Sequence, residues 1–335
     1  MREFLPHGGL ALLVPAYNAA RFLPRLIESA HSQFIPFNEI RVYDDASTDG
    51  TAQVAHDMGA QVVRGETNRG PSHGRNILAQ RTQAKWLHFH DADDALLPGF
   101  TTLAQRYMVL DEHDVVLFDY ETRDHATGLH CYVRHFDKAA LQQDPVRFAI
   151  VEQINAIHGL YRRDAFLAAG GFANAMRYNE DPDLHLRLAL ARCKFTADSD
   201  VQVINYLRGD SVSAMRGHEC VAAQYQTMCL AAKAAGDRYA PEIAGKLWNV
   251  AAGAATFLDW PLADKAAAKA LELAGPTAIG DRGLFETLVR IDYRLALRVR
   301  ELLVRAFKAR VRPASHRGFG QALRSIIAIP TTPAY

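Results

Sequence analysis

The 335-residue chain carries no excess of either charge: 38 Lys and Arg face 37 Asp and Glu, a net +1 with histidine neutral. That balance lacks the basic footprint of a nucleic-acid binder, so no nucleic-acid partner is expected. Cysteine is scarce. Cys131, Cys193, Cys220 and Cys229 are scattered without metal-ligand spacing and read as thiols of a reducing compartment. No apolar stretch reaches the ~20 residues needed to span a bilayer. The first residues, Met1 to Gly9, contain no apolar segment of the kind a signal peptide carries. The expectation is a cytoplasmic protein that can touch the inner face of a membrane. Internal repeats and low-complexity linkers are also missing. What the chain does have is 49% hydrophobic residues, ample for one large domain or two smaller ones.

The apolar runs are short and regularly spaced. Leu10–Val14, stopped by Pro15, Ile40–Tyr43, Gln61–Arg64 and Lys85–His90 read as strands. Between them Ala19–His31, Thr48–Met58 and Gly74–Ala84 read as helices, with Ser47 or Thr48 as a cap and Gly59 as a stop. Strands alternating with helices imply βαβ units, a mostly parallel central sheet and an α/β fold. Val115–Tyr120, Leu160–Arg163 and Val201–Leu207 are further strand-like runs, and Leu184–Ala191 is helical. The stretch 120–143 has no clear pattern. Beyond Ser213 the chain is Ala-rich and helical to near Arg312. The division is residues 1–213 as a nucleotide-binding domain and 214–335 as a helical extension that can pack on the core, a membrane or another copy.

The segment Trp86-Leu87-His88-Phe89-His90-Asp91-Ala92-Asp93-Asp94 ends an apolar strand in three close carboxylates. Carboxylates that near repel unless solvated or neutralised, and Mg²⁺ or Mn²⁺ with a nucleotide diphosphate would neutralise them. Ligands of parallel sheets bind beyond the carboxyl ends of the strands. Pro15-Ala16-Tyr17-Asn18 and Asp44-Asp45 sit at two more such ends. Tyr17 could stack on a base and Asp45 accept from one; equally, Tyr17 could pack on the sheet and the Asp44–Thr51 segment cap a helix. Asn68-Arg69-Gly70-Pro71 leads into a helix carrying Arg75, an arrangement suited to a diphosphate or to a plain turn. Asp181, between Glu180 and Pro182, reads both as a helix cap and as a general base. Arg208 could neutralise phosphate. His218 is a third metal ligand or a surface histidine. From Arg290 to Arg312, Ile291, Leu295, Val299, Leu302, Leu303, Ala306 and Phe307 mark one helical face and arginines the rest, a pattern that can lie on an anionic membrane.

In order along the chain, Leu13-Val14-Pro15-Ala16-Tyr17-Asn18, Tyr43-Asp44-Asp45-Ala46-Ser47-Thr48-Asp49-Gly50-Thr51, Asn68-Arg69-Gly70, Arg75-Asn76, Asp91-Ala92-Asp93-Asp94, Gly170-Gly171-Phe172 and Glu180-Asp181 together resemble a family 2 glycosyltransferase with the GT-A fold. The resemblance spans roughly Leu10 to Ser213. The helical remainder is similar to extensions of bacterial envelope-polysaccharide transferases.

That resemblance implies a nucleotide-sugar donor, usually a UDP-sugar, a glycan or glycolipid acceptor, and Mn²⁺ or Mg²⁺. It sets Pro15, Ala16, Tyr17 and Asp45 around the nucleoside and Arg75 near the base or diphosphate. Asp91 and Asp93 match the Asp-X-Asp element, with Asp93 the direct metal ligand and His218 a candidate third. Asp181 matches the catalytic base of an inverting transfer. Asn155, His158 and Glu180 are candidate acceptor-side contacts. The Gln-X-X-Arg-Trp element of processive synthases is absent, which points to single-sugar transfer. Asp210 stands where a His is often found. Two other readings are a sugar-phosphate nucleotidyltransferase, disfavoured because Pro15-Ala16-Tyr17-Asn18 replaces a Gly-rich loop after the first strand, and a non-catalytic nucleotide-sugar-binding protein.

Overall fold

In the computed structural model residues 8–209, 217–276 and 284–307 are described. The chain divides into two compact units, Met1–Met215 and Arg216–Tyr335.

The first unit opens with β1 (Leu10–Ala16), whose side chains are all buried. A continuous apolar strand of this kind suits a sheet covered on both faces. α1 (Leu23–His31) buries Leu23, Leu26, Ile27 and Ala30, the spacing of one helical face, against Leu10, Leu12 and Val14. Each such side chain contributes roughly 1.5–3 kcal/mol on leaving water. β2 (Glu39–Asp44), α2 (Thr51–Asp57), β3 (Gln61–Arg64), α3 (Pro71–Arg81) and β4 (Trp86–Phe89) complete a parallel half-sheet in the order β3-β2-β1-β4.

β1 runs through Pro15 rather than stopping there. The β4 ladder ends where His90 N–H donates to the Leu13 carbonyl at 3.1 Å. Pro15 lies on that same edge, just past the last pair, so its missing N–H costs no ladder bond. α1 begins later than expected because Asn18 has φ +48° and Ala19 closes a turn onto Phe22 and Leu23, leaving Pro24 in the first helical turn.

The remaining elements are β5 (Ala95–Leu96), α4 (Phe100–Leu110), β6 (Val115–Asp124), β7 (His130–Arg134), α5 (Lys138–Gln143), α6 (Pro145–Val151), β8 (Gly159–Arg162), α7 (Arg163–Ala168), α8 (Glu180–Leu190) and β9 (Phe195–Leu207). This half corrects the expectation of a mostly parallel sheet. β8 runs antiparallel to both β4 and β6, β5 antiparallel to β9, and β6 and β7 form a hairpin; only β6 and β9 pair parallel. Residue periodicity marks a strand but not its direction, which depends on where the chain re-enters the sheet. The patternless stretch 120–143 is the hairpin and α5. Its turn is held by Asp124, whose Oδ1 accepts from the Thr127 N–H at 2.8 Å.

The second unit is helical: α9 (His218–Ala235), α10 (Ala240–Thr256), α11 (Trp260–Ala274) and α12 (Leu284–Phe307). Buried alanines, among them Ala251, Ala254, Ala263 and Ala267, carry its core. α12 bends at Asp292 (φ −156°, ψ 109°), whose carboxylate accepts from the Arg294 N–H at 2.8 Å. The expected basic face is corrected here. Arg298 is buried over the Trp260 ring and makes a bidentate pair with Asp264, 3.0 Å on each side. Arg305 is buried with Glu301 at 2.9 Å. Ile291, expected on the apolar face, is 76% exposed instead. A buried arginine needs a carboxylate partner, and that pairing, invisible in a helical wheel, turns the helix about its axis. Residues 308–312 lie outside the described residues, as does the tail. Among the described residues no helix is long and apolar enough to cross a membrane.

Candidate active site

The ends of β1, β2 and β4 meet at one edge of the parallel half-sheet. After β1, Tyr17 projects into solvent at 50% exposure. After β2, Asp45 is buried, and both its oxygens accept main-chain N–H groups: Arg69 at 2.9 Å and Gly70 at 2.7 Å. Asp45 therefore ties the Asn68–Gly70 loop to the sheet. Ser47 and Thr48 bind the loop after β1: Ser47 Oγ accepts from Asn18 N–H, and the Thr48 N–H donates to Asn18 Oδ1. Asp49 does both, accepting from Ala20 N–H and from the N–H of Thr51 at the start of α2. The helix packs closely on this edge. A Cβ on Gly74 would stand 2.8 Å from the Tyr43 ring and 3.3 Å from Pro15, so only glycine admits that approach.

α3 then aims two side chains at the site. Asn76 takes the Phe172 N–H at 2.9 Å and returns its amide to the Phe172 carbonyl at 2.8 Å, which pins the Gly170-Gly171-Phe172 loop. Gly171 has φ +64°, a region that favours glycine. The pinned Phe172 ring lies 5.2 Å under the Arg75 guanidinium. Arg75 itself is buried. Its Nη2 donates to Asp91 Oδ1 at 2.7 Å, and its Nη1 is 3.5 Å from Glu180 Oε1. Burial works against the Arg75 charge, but Asp91, Asp181 and Glu180 outweigh it and hold the guanidinium more firmly protonated than usual.

Asp181 occupies the first turn of α8, which starts at Glu180 after left-handed Asn179 and has no side-chain cap. This corrects the reading of Asp181 as a helix cap: the cap position is Asn179, and Asp181 lies inside the first turn. Burial, then the Glu180 charge, push its carboxyl up to about 8, against the opposing pull of Arg75 and the Ala156 N–H. Burial also raises Glu180, with Arg75 opposing. A carboxyl tuned toward neutrality in a carboxylate cluster is the condition general-base chemistry needs.

Asp91 is half-exposed, and Asp93 less so. Burial and the Asp91 charge hold the Asp93 carboxyl above its ordinary range, opposed by Arg208 and Arg25. Arg208 Nη2 is 3.3 Å from Asp93 Oδ2, and Arg25 donates to the Asp93 carbonyl at 2.8 Å. Asp94 is buried and accepts the Tyr206 N–H at 2.7 Å, so it braces the turn against β9. Two hard-oxygen donors close together, Asp93 held above its ordinary range partly by the Asp91 charge, fit a divalent cation completed by phosphate oxygens and water. Among the described residues no group of three or more His, Cys, Asp or Glu side chains forms a metal cage. A cavity of about 490 Å³ opens beside Asp93, lined among others by Arg21, Phe22, Arg25, His125, Leu207 and Arg208. Its walls favour an anion.

Three further candidates are held by contacts of their own. His218 contacts the carboxylate of Asp259 within the helical unit, and Asp259 also caps α11. His158 is buried with its ring stacked on Tyr120 at 3.4 Å between centroids, so it offers no surface to an acceptor. Asn155 is half-buried and its carbonyl accepts the His158 N–H at 3.1 Å. Asp210 to Ser213 lie outside the described residues. Neither the pairing of Arg75 with Glu180 nor the buried His185 and Tyr161 behind Asp181 was expected from the sequence. His185, four residues after Asp181 on α8, was the available signal.

Residues 11–166 match a family model described as glycosyl transferase family 2. An uncharacterized glycosyltransferase of Haemophilus influenzae is 28% identical over 187 residues, 53% of this chain and 61% of that protein. The chain thus matches less than two thirds of that relative's length. Among solved structures, Staphylococcus aureus TarS 1–349 in complex with UDP-GlcNAc has a TM-score of 0.56 at 18% identity, covering 95% of this chain and 88% of that one. The mannosyltransferase PcManGT from Pyrobaculum calidifontis, in complex with GDP-Man and Mn²⁺, has a TM-score of 0.54 at 18% identity, covering 95% and 87%. At that identity the two structures establish a shared fold.

Proposed function

We propose that this chain, a glycosyltransferase that belongs to glycosyl transferase family 2 through residues 11–166, moves a single sugar from a UDP-sugar to a hydroxyl of a glycan or glycolipid in bacterial cell-envelope polysaccharide synthesis. The observation that carries the reading is Arg75. One buried guanidinium joins Asp91, at the end of β4, to Glu180 beside Asp181 at the start of α8. The candidate donor carboxylates and the candidate base therefore share one electrostatic cluster.

Pro15, Ala16, Tyr17 and the loop that Asp45 holds border the nucleoside. Asp93 and Asp91 would hold Mn²⁺ or Mg²⁺, and the bound ion supplies positive charge to the leaving diphosphate. Arg208 and Arg25 add cationic character on the same side. Asp181 takes the proton of the acceptor hydroxyl as its oxygen attacks the anomeric carbon, opposite the leaving nucleoside diphosphate, and the anomeric configuration inverts. PcManGT binds GDP-Man and TarS binds UDP-GlcNAc, so the base is settled by a thermal-shift screen of UDP- and GDP-sugars with and without Mn²⁺. The reading requires a Mn²⁺-dependent rise with a UDP-sugar, and release of UDP without pyrophosphate. Pyrophosphate release would instead mark a nucleotidyltransferase.

A further inference from the structure

Behind Asp181 lies a run of buried hydrogen bonds that the proposed chemistry does not use. His185 Nδ1 is 2.7 Å from the Asp181 carbonyl oxygen, and its Nε2 is 2.8 Å from the Tyr161 hydroxyl. The Tyr161 hydroxyl also reaches the Ala156 carbonyl at 3.2 Å. All three of Ala156, Tyr161 and His185 are fully buried. The N–H of Ala156 in turn favours the charged Asp181 carboxyl. The path thus leaves Asp181 through its main chain and returns to it through its side chain.

The place for the hydroxyl is built. A Cβ on Gly159 would stand 2.2 Å from Tyr161 Oη, so the phenol occupies space that any other residue at 159 would fill. Two apolar side chains would fill the same volume without needing partners, and burying a polar pair is costly unless both are satisfied.

Counting protons fixes the roles. Burial holds His185 down at about 4, so the ring is neutral and has a single N–H. The Asp181 carbonyl can only accept, so that proton sits on Nδ1. Nε2 must then accept, and the one Tyr161 O–H is the donor facing it, shared with the Ala156 carbonyl in a three-centre bond whose longer arm is the 3.2 Å contact. Without that hydroxyl, Nε2 is left buried and unpaired, and the ring can move its proton to the other nitrogen and release the Asp181 carbonyl.

We propose that His185 and Tyr161 are positioning residues for Asp181: together they fix the first turn of α8 and the Ala156 turn, and so hold the carboxylate at the angle the acceptor proton requires. This rests on the reading of Asp181 as the base. The residues never touch substrate. Their effect on turnover comes through the orientation of the carboxylate, and small misplacements of reacting groups cost up to about a hundredfold in rate.

The test uses the full chain with Tyr161→Phe, His185→Leu, His185→Asn and Asp181→Asn. Asparagine can place an amide N–H where the imidazole Nδ1–H stood. Turnover is followed on UDP-glucose, UDP-galactose and UDP-N-acetylglucosamine, and UDP binding by calorimetry with Mn²⁺. The Asp181 carboxyl is titrated by carbon-13 NMR, its signal identified by its loss in Asp181→Asn. Tyr161→Phe and His185→Leu should keep UDP affinity within about twofold, move the Asp181 titration to higher pH, and lower kcat about tenfold to a hundredfold. His185→Asn should restore most of both. An unmoved Asp181 titration in Tyr161→Phe and His185→Leu overturns the inference, as does His185→Asn behaving like His185→Leu. Full turnover in Asp181→Asn would instead sink the base assignment itself, whatever the other variants do.

Discussion

The Arg75 guanidinium donates to Asp91 at 2.7 Å and sits 3.5 Å from Glu180, so one buried cation holds together carboxylates contributed by β4 and α8. The guanidinium is buried, and it is stable there because those carboxylates face it. The pair Arg75–Asp91 is therefore both an element of the site and a condition for its assembly.

Arg75→Ala should remove that compensation. Breaking a buried ion pair on one side typically costs about 3–5 kcal/mol, because the remaining charge is left unpaired. Denaturant unfolding should register a loss of that order, and any surviving fold should have turnover reduced more than a hundredfold. Arg75→Lys should recover only part, since an ammonium cannot span both acceptors as the planar guanidinium does.

Asp181 links stability to pH. An aspartate in the unfolded chain titrates near about 4, while in the fold burial and Glu180 push Asp181 up to about 8. Between those values the unfolded state has lost the proton and the native state keeps it. The native state binds more protons there, so stability falls as pH rises through that window. Asp181→Asn removes the penalty. It should be more stable than the parent by about 5 kcal/mol at pH 8 and equal to it at pH 4, read as melting temperature against pH.

The same tuning shapes the rate. A base must be deprotonated, so kcat/KM should rise with pH along an acid limb. Glu180→Gln removes the neighbouring charge that raises Asp181 and should move that limb to lower pH. A limb that stays in place in this variant would argue against Asp181 as its origin.

Asp45→Ala should strip the Arg69 and Gly70 N–H groups of their acceptor. Loss of two charge-assisted bonds at a buried site predicts a destabilisation of roughly 2–3 kcal/mol and weaker binding of UDP, measured by urea unfolding and calorimetry.

For the metal, chelation should abolish transfer and also the Mn²⁺-dependent part of the thermal shift with UDP. Asp93→Asn should lose that part as well while keeping the melting temperature of the ligand-free protein. A full Mn²⁺ effect in Asp93→Asn would remove Asp93 from the metal site.

The parallel half of the sheet was legible because a strand is a local object. Leu10–Val14 and Trp86–Phe89 are apolar runs whose burial follows from their own side chains, and polar groups at their carboxyl ends follow from the same few residues. The antiparallel insertion of β8 was not legible, because its direction depends on how residues 125–158 return to the sheet. The arginines of α12 misled for the same reason. Arg298 looks like surface charge until Asp264 and Trp260, more than thirty positions earlier, are brought against it.

The sequence alone determined which chemistry the strand ends could hold: Asp91 and Asp93 in adjacent alternate positions, Asp45 after β2, and a family pattern running to Asp181. These are statements about neighbours along the chain, and covalent geometry enforces them. Only the tertiary structure decided how those groups are tuned. It buried Arg75 over Phe172 among carboxylates far apart in sequence, set Asp181 inside the first turn of α8 rather than at its cap, and placed His185 and Tyr161 behind it. Burial and charge proximity act through space, and no local pattern encodes them.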